Sequence, residues 1–441
     1  MAKNIIEKVP FDFKLGLYDI FSEENLKYYH RYKEVDSKGR YIYWDKIKYH
    51  AKSNSDDPLM AWYAVKFHRL SGRKIVNLYN KKNEFFKYSI HSLLESNLYK
   101  ISEFSRDGLM PTDSIGSSYL FSSLVIEEAI SSSQLEGAST TRRVAKEMIV
   151  SAREPKSPDE RMVVNNYFLM KEVKKVKNDR LTVDMILNFH EIATQGLDEN
   201  GVVAGQTRVD DEIFIGDNDG NNIYQPPKYE EVIARLEQLC NFANKSHLED
   251  DFINPIIKAI ILHFMIGYIH PFSDGNGRTA RGLFYWFMLK SGYDYFEYIS
   301  ISKLLKDAPV KYAKSYLYTQ YDDNDLNYFI YYQVDIILRA IDELQKFLEK
   351  KIKEFEELTY ILKDSSLIGK LNFIQKDIIK KAIKSPGRVF RANEVSVDYD
   401  ISANTARKYL NELVKYKVLI SAKDGRQIRY IAPENLHKIL K

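Results

Sequence analysis

Along most of this chain the apolar positions recur every three or four residues, the spacing of helices that bury one face. Residues 1–105 are rich in Tyr, Phe and Lys, with helical spacing around 60–70 and 85–101 and no motif. They read as an accessory helical region that packs on the core. From about 115 to 345 almost every segment reads as a helix. Thr182 is placed to cap a helix over 183–197, with Ile186, Phe189, His190 and Ala193 facing inward. Asn254-Pro255 opens another, with Asn as N-cap and Pro in the first turn, and that helix delivers His270 at its end. A third starts near Asn276 and stops at Ser291-Gly292.

The pattern changes in two places. Glu212 to Gly216 and Ile223 to Gln225 are strand-like and flank Asp217-Asn218-Asp219-Gly220-Asn221-Asn222, which predicts a hairpin stopped by Pro226-Pro227. After an amphipathic stretch over 326–362, the grammar of 366–433 is different. That stretch is one long helix or two; its stripe can pack on its own protein or form a dimerising coiled coil. In the tail, helices are predicted over 371–383 and from Ser402, with Ala406, Leu410 and Leu413 inward and Asn404, Thr405, Arg407 and Lys408 at an exposed start. Val418-Leu419-Ile420 and Gln427 to Ile431 then form a hairpin about Asp424-Gly425. This is the pattern of a winged helix-turn-helix, whose second helix enters the major groove of DNA or, in other proteins, meets a protein partner.

Composition sharpens this picture. A chain of 441 residues with 44% hydrophobic and 29% charged residues is that of a globular protein of two to four domains. One cysteine, Cys240, excludes an internal disulfide and a multi-cysteine zinc site, and points to a reducing, cytoplasmic setting. The most apolar run, 255–272, holds Lys258 and His263 and is too short to span a bilayer, so no membrane role is expected. The net charge of +4 hides an asymmetry: from Lys370 onward there are sixteen Lys/Arg against seven Asp/Glu, leaving the rest of the chain acidic. A basic tail on an acidic body suits nucleic acid.

The chemistry is concentrated in His270-Pro271-Phe272-Ser273-Asp274-Gly275-Asn276-Gly277-Arg278-Thr279-Ala280-Arg281. Two glycines let consecutive backbone N–H groups converge on one anion, at a helix start where the dipole favours phosphate. Arg278 can grip a phosphate with two parallel hydrogen bonds, and Arg281 lies three residues further on. Asp274 is a hard oxygen ligand suited to Mg²⁺. His270 is the one group there whose ordinary pKa suits a base near neutral pH. Phe272 is expected to anchor the loop.

This string resembles, at every fixed position, the Fic family signature His-Pro-Phe-x-(Asp/Glu)-Gly-Asn-Gly-Arg-x-x-Arg. The resemblance extends from about Ser117 to Tyr332, taking in Gly205-Gln206-Thr207-Arg208, the hairpin and Lys311-Tyr312. It implies a mainly α fold: a Fic-type helical core over 115–345, with an inhibitory helix near 120–137, a β-hairpin flap over 210–227 and the signature loop over 270–281. A helical linker (346–365) and the winged helix-turn-helix (366–441) would follow. It also implies a nucleotidyltransferase that moves AMP from ATP, with Mg²⁺, to a Tyr, Ser or Thr hydroxyl of a target protein or of itself. His270 would take the hydroxyl proton and Asp274 would hold the metal. Gly275, Asn276 and Gly277, including the Asn276 side chain, would hold the α- and β-phosphates. Arg278 would steady the β-phosphate and Arg281 the γ-phosphate. Ile213, Phe214, Ile215 and Gly216 of the flap would hold the target's extended segment by strand addition.

A second string, Ser132-Ser133-Gln134-Leu135-Glu136-Gly137, fits the family's inhibitory pattern (Ser/Thr)-x-x-x-Glu-(Gly/Asn) and also reads as an ordinary helix end with Gly137 past the cap. In the inhibitory reading Glu136 pairs with Arg281 and displaces the γ-phosphate. Two alternatives stay open. The same glutamate could orient water and remove AMP from a modified protein, and the chain could be a DNA-binding regulator whose Fic core senses nucleotide. His190 and Tyr312 are expected in the core rather than against adenine.

Overall fold

The computed structural model describes residues 6–9, 19–70, 72–106, 126–151, 153–197, 202–216, 222–246, 248, 251–361, 367, 370–399, 401–424, 427–434 and 436. Helices α1 (Leu26–Arg31), α2 (Trp44–Ser53) and α3 (Pro58–Leu70) lead into strands β1 (Arg73–Tyr79) and β2 (Phe85–Ser89) and helix α4 (Ser92–Arg106). Helix α5 (126–135) follows. Then come α6 (Arg142–Ser151), α7 (Pro158–Lys175), α8 (Val183–Thr194), the short strands β3 (Ile215–Gly216) and β4 (Asn222–Tyr224), and α9 (Val232–Asn244). The signature lies between α10 (Pro255–Ile269) and α11 (Asn276–Lys290). Beyond it run α12 (Ile301–Asp307), α13 (Pro309–Tyr321), α14 (Asn327–Ile361), α15 (Phe373–Lys384), β5 (Val389–Phe390), α16 (Ala392–Asp398), α17 (Ala403–Lys415), β6 (Ile420–Asp424) and β7 (Gln427–Ile431). None of the helices is long and apolar enough to cross a membrane among the described residues.

The chain divides into two compact units, one of residues 1–103, 168–294 and 304–338, the other of residues 104–167, 295–303 and 339–441. The first is built around α10 and α11, which pack against each other and are buried on nearly every face. A helix that is apolar all round must sit at the centre of its unit. The predicted caps are present: Thr182 Oγ1 accepts from Met185 N, and Asn254 accepts from Ile256 N. At the far end of α11, Gly292 has φ +85° and its N–H reaches the Leu289 carbonyl.

One expectation is overturned in the first unit. The helical spacing over 85–101 is two elements, because Phe85–Ser89 is a strand paired antiparallel with Arg73–Tyr79. The turn decides this. Asn80 Oδ1 accepts from Lys82 N and Glu84 N, and Asn83 adopts φ +60°, so the chain doubles back before a helix can start. The free edge of β2 is covered, since Lys87 N donates to the Asn324 carbonyl and its own carbonyl accepts from Leu326 N. Beneath it, a buried ion pair joins Lys66 Nζ to Asp322 Oδ1 at 2.8 Å, and Tyr328 OH donates to Asp322 Oδ2.

In the second unit, Ile126 and Ile130 of α5 meet Ala145 and Met148 of α6 and Val163 of α7 in a small apolar cluster. The C-terminal part has its own core, including Ile378, Phe390, Leu410, Leu413 and Tyr430. Helix α15 opens with a capping box between Asn372 and Gln375, and Ser402 caps α17 through Thr405 N. Its three strands are ordered β5-β7-β6.

Candidate active site

The site starts from how α10 ends. Pro271 disfavours the α conformation in the residue before it and cannot continue the helix. His270 therefore leaves the helix at φ +49°, ψ +60°, the left-handed region, while its N–H still closes on the Ile266 carbonyl. Such a conformation costs a non-glycine residue about 1–2 kcal/mol. Hydrogen bonds to the turn offset that cost: Arg208 Nε donates to the His270 carbonyl at 3.0 Å and Arg208 N to the Pro271 carbonyl at 2.9 Å. The residue as a whole is half-buried.

The loop then folds around its own side chains. Phe272 is wholly buried and stacks on His190, with ring centroids 3.7 Å apart and planes nearly parallel. Asn276 staples the turn, its Oδ1 accepting from Phe272 N and its Nδ2 donating to the Phe272 carbonyl. This differs from the expected grip of the Asn276 side chain on phosphate: in this structure both ends of the amide hold the loop. What Asn276 offers an anion is the backbone N–H at the first position of α11. Gly275, the N-cap, has φ +81°.

His190 is buried as expected, and it lies beneath the loop, stacked on Phe272. Its Nδ1 accepts from Gly205 N at 3.1 Å, so its Nε2 carries the proton and donates to the Asp274 carbonyl at 3.0 Å. Burial lowers its pKa to about 4, which keeps the ring neutral and this tautomer in place. Arg278 is also wholly buried; Nη1 donates to the Ala193 carbonyl and Nη2 to Asp274 Oδ2 at 2.9 Å. Arg281 is buried three residues on. Its charge, after burial, is the second cause that lowers His263 to about 3, and His263 Nε2 meets Tyr312 OH at 2.8 Å. Helices α8, α10 and α11 thus bring His270, Asp274, Gly275, Gly277, Arg278 and Arg281 to one end of the first unit.

The flap begins at the same arginine. Arg208 Nη1 donates to the Asp210 carbonyl and to Asp211 Oδ1, and Nη2 donates to the Pro227 carbonyl. One buried guanidinium therefore ties both ends of the hairpin to the backbone of His270. Ile215 pairs with Tyr224 and Gly216 with Asn222. Phe214 and Ile215 are exposed, 45% and 37%, whereas Ile213 is half-buried. The turn at 217–221 lies outside the described residues, as do the beginning of the predicted inhibitory helix before 126 and the stretch from Ser117 where the resemblance starts. The sequence gives Arg208 no role of its own. The signal available was the string Gly205-Gln206-Thr207-Arg208 just before the hairpin.

Glu136 stands at the end of α5 in the second unit. The Ala138 N–H reaches the Ser133 carbonyl and the Gly137 N–H the Gln134 carbonyl, with Gly137 at φ +100°. That is a Schellman ending, so the cap predicted for Gly137 is present.

A divalent ion is implied by the resemblance, and the donors fit it. Asp274 is a single, half-exposed carboxylate, and no cluster of three His, Cys, Asp or Glu occurs among the described residues. Mg²⁺ is commonly held by one or two carboxylates plus substrate phosphates rather than by an all-protein cage.

Comparison with known proteins agrees with this geometry. Residues 180–288, from α8 to α11, match the Fic/DOC family. The chain is 31% identical over 126 residues to the protein adenylyltransferase fic-1 of Caenorhabditis elegans, across 29% of this chain and 23% of that protein. It is 31% identical over 137 residues to the protein adenylyltransferase Fic of Nematostella vectensis, across 28% of this chain and 29% of that one. The chain therefore spans about a quarter of the length of these curated relatives. A crystal structure of a Fic family protein from Desulfovibrio desulfuricans shares the fold, with a TM-score of 0.50 at 16% identity, over 79% of this chain and 98% of that one.

Proposed function

We propose that this chain, which carries a Fic/DOC family domain, is a protein adenylyltransferase restrained by its own Glu136. The observation that carries the reading is the construction of the signature turn. A histidine held in a left-handed conformation ends one helix, and a glycine-capped helix start follows that carries Arg278, paired with Asp274, and Arg281. The triphosphate would lie over the N–H groups of Asn276 and Gly277, with Arg278 and Arg281 supplying charge. Arg278 reaches it from a fixed guanidinium, since Ala193 and Asp274 already set its plane. Asp274 would hold Mg²⁺, which when bound neutralises charge on the departing pyrophosphate.

His270 takes the proton of a Tyr, Ser or Thr hydroxyl as its oxygen forms a bond to the α-phosphorus and the bond to pyrophosphate breaks. The products are an AMP-modified hydroxyl and pyrophosphate. The exposed Phe214 and Ile215 of the flap would align the target strand, and Arg208 ties that flap to the His270 backbone. Positioning and charge stabilisation supply most of the rate. Glu136, at a well-capped helix end, would hold Arg281 away from the γ-phosphate. The C-terminal helices and three-stranded sheet are read as a winged helix-turn-helix that binds duplex DNA through α17. A cysteine count of one, Cys240, fits a reducing cytoplasm.

The test is incorporation of labelled AMP into the protein itself and into lysate proteins, with ATP and GTP compared. Glu136→Gly should raise incorporation, and no gain removes the restraint. His270→Ala should abolish transfer while ATP binding stays nearly intact. Retained transfer would remove the general base.

A further inference from the structure

The helix that ends in Glu136 belongs to the same compact unit as the C-terminal helices, not to the unit that carries the signature. It is held there at several points. Glu128 accepts from Ser300 Oγ at 2.7 Å and from Ser302 Oγ, Ser133 Oγ accepts from Asn166 Nδ2 at 2.7 Å, and Glu127 pairs with Arg142 at the start of α6. Ile130 packs with Met148 of α6. Helix α6 in turn packs against α16, and α16 against α17. A continuous path of packed helices, α17 to α16 to α6 to α5, therefore joins the C-terminal surface to Glu136.

That surface has the charge of a polyanion site. From Lys370 onward there are nine more basic than acidic residues. On α17 the exposed residues include Asn404, Arg407, Lys408 and Lys415. The acid of this helix, Glu412, is turned to Gln375, whose Nε2 donates to it at 2.7 Å. Asp377 and Asp398 are buried against Lys381. Lys423 stands exposed on β6.

We propose that duplex DNA bound along α17 is an inhibitory effector of the transferase, acting by stabilising the helix that ends in Glu136. This rests on the readings of the C-terminal part as a winged helix and of Glu136 as the restraint. The sign follows from linkage. A ligand that binds the assembled unit favours that assembly over forms in which part of it is open, by a factor of 1 + [L]/Kd. In the assembled unit α5 is formed and closed by its Schellman ending, so binding should deepen inhibition.

The experiment uses the full chain, a fluorescent duplex of mixed sequence and hydrogen exchange read over 126–137. Anisotropy should show binding that weakens with salt and is lost in Arg407→Ala with Lys408→Ala, two exposed positions. At duplex ten times its Kd, exchange over 126–137 should slow up to about tenfold, and AMP incorporation should fall with it. Met148→Ala should keep duplex binding but lose the protection, and Glu136→Gly should transfer AMP at a rate the duplex does not change. Binding with unchanged exchange at 126–137 overturns the coupling and leaves the winged-helix reading standing. Absence of binding overturns that reading and the effector with it. A duplex effect that persists in Glu136→Gly overturns the route through the restraint.

Discussion

A Cβ on Gly275 would lie 2.7 Å from Thr194 Cγ2 and 3.1 Å from His190 Cδ2, at a φ of +81° that already costs any other residue about 1–2 kcal/mol. Gly275→Ala should therefore destabilise the protein by more than the backbone cost alone. It should also lower transfer on the order of 100-fold, because the atoms it pushes are those that seat the loop. Thermal melts and AMP incorporation check the two effects separately. His190 makes a further prediction, in pH. Its pKa falls from an ordinary 6.5 to about 4 on folding, so between those values the unfolded chain binds a proton that the folded chain does not. Stability must then fall as pH drops from about 6.5 towards 4, by about 1.4 kcal/mol per pH unit at most from this group. His263, lowered to about 3, acts in the same direction. The thermal midpoint should drop measurably between pH 7 and pH 5, and His190→Gln should lessen the drop while lowering stability at pH 7. An equal drop in that variant would assign the effect elsewhere.

At the scale of elements, the sequence was most legible where a backbone requirement has a residue type attached to it. Thr182, Asn254, Gly292 and Ser402 each mark a helix end found where the pattern put it. The strand at Phe85–Ser89 was not legible, because two phenylalanines followed by polar residues suit either period and the deciding contacts come from Asn80 and from Asn324 to Leu326, far along the chain. The signature announced its chemical groups, yet the parts that seat them were silent. His190 and Arg208 act through backbone carbonyls of the turn, and neither contact leaves a spacing to read. The Asn276 amide is the same lesson in reverse, since a polar side chain in a binding motif serves the loop's own closure. Gly137 separates backbone from packing effects. A Cβ there meets nothing within 4 Å, so only its φ of +100° opposes substitution. Gly137→Ala should thus cost about 1–2 kcal/mol, confined to the end of α5. Exchange over 133–137 should quicken, and AMP incorporation should rise, though less than in Glu136→Gly. Faster exchange without a rise in incorporation would separate the helix ending from the restraint.

At the scale of the whole molecule, the first hundred residues carry no motif, yet they are tied to the unit that holds the site through groups buried deep in it. Lys66 Nζ sits 2.8 Å from Asp322 Oδ1 with both side chains almost wholly inaccessible, and Tyr41 OH donates to Asp325 Oδ2 at 2.6 Å. Asp322 follows α13, whose Tyr316 presses on Gly267 so closely that a Cβ there would lie 2.5 Å from its hydroxyl oxygen. Gly267 is three residues before His270 in α10, so the N-terminal region braces the helix that presents His270. A buried ion pair adds little over a well-packed apolar pair, but removing one partner leaves a charge without compensation and costs about 3–5 kcal/mol. Lys66→Met should lower stability by that amount in guanidinium unfolding, strand Asp322 beside the Tyr328 hydroxyl, and loosen the contact of α13 with α10. The double variant Lys66→Met with Asp322→Asn should recover most of the loss, because no charge is then left alone. If the brace also sets His270 as the proposed base, transfer by the folded single variant should fall through kcat rather than through KM for ATP, since the turn proposed to hold phosphate is seated by His190 of α8 and the start of α11. A single variant as stable as the parent would show that the pair is not what fastens these residues to the unit that carries the signature.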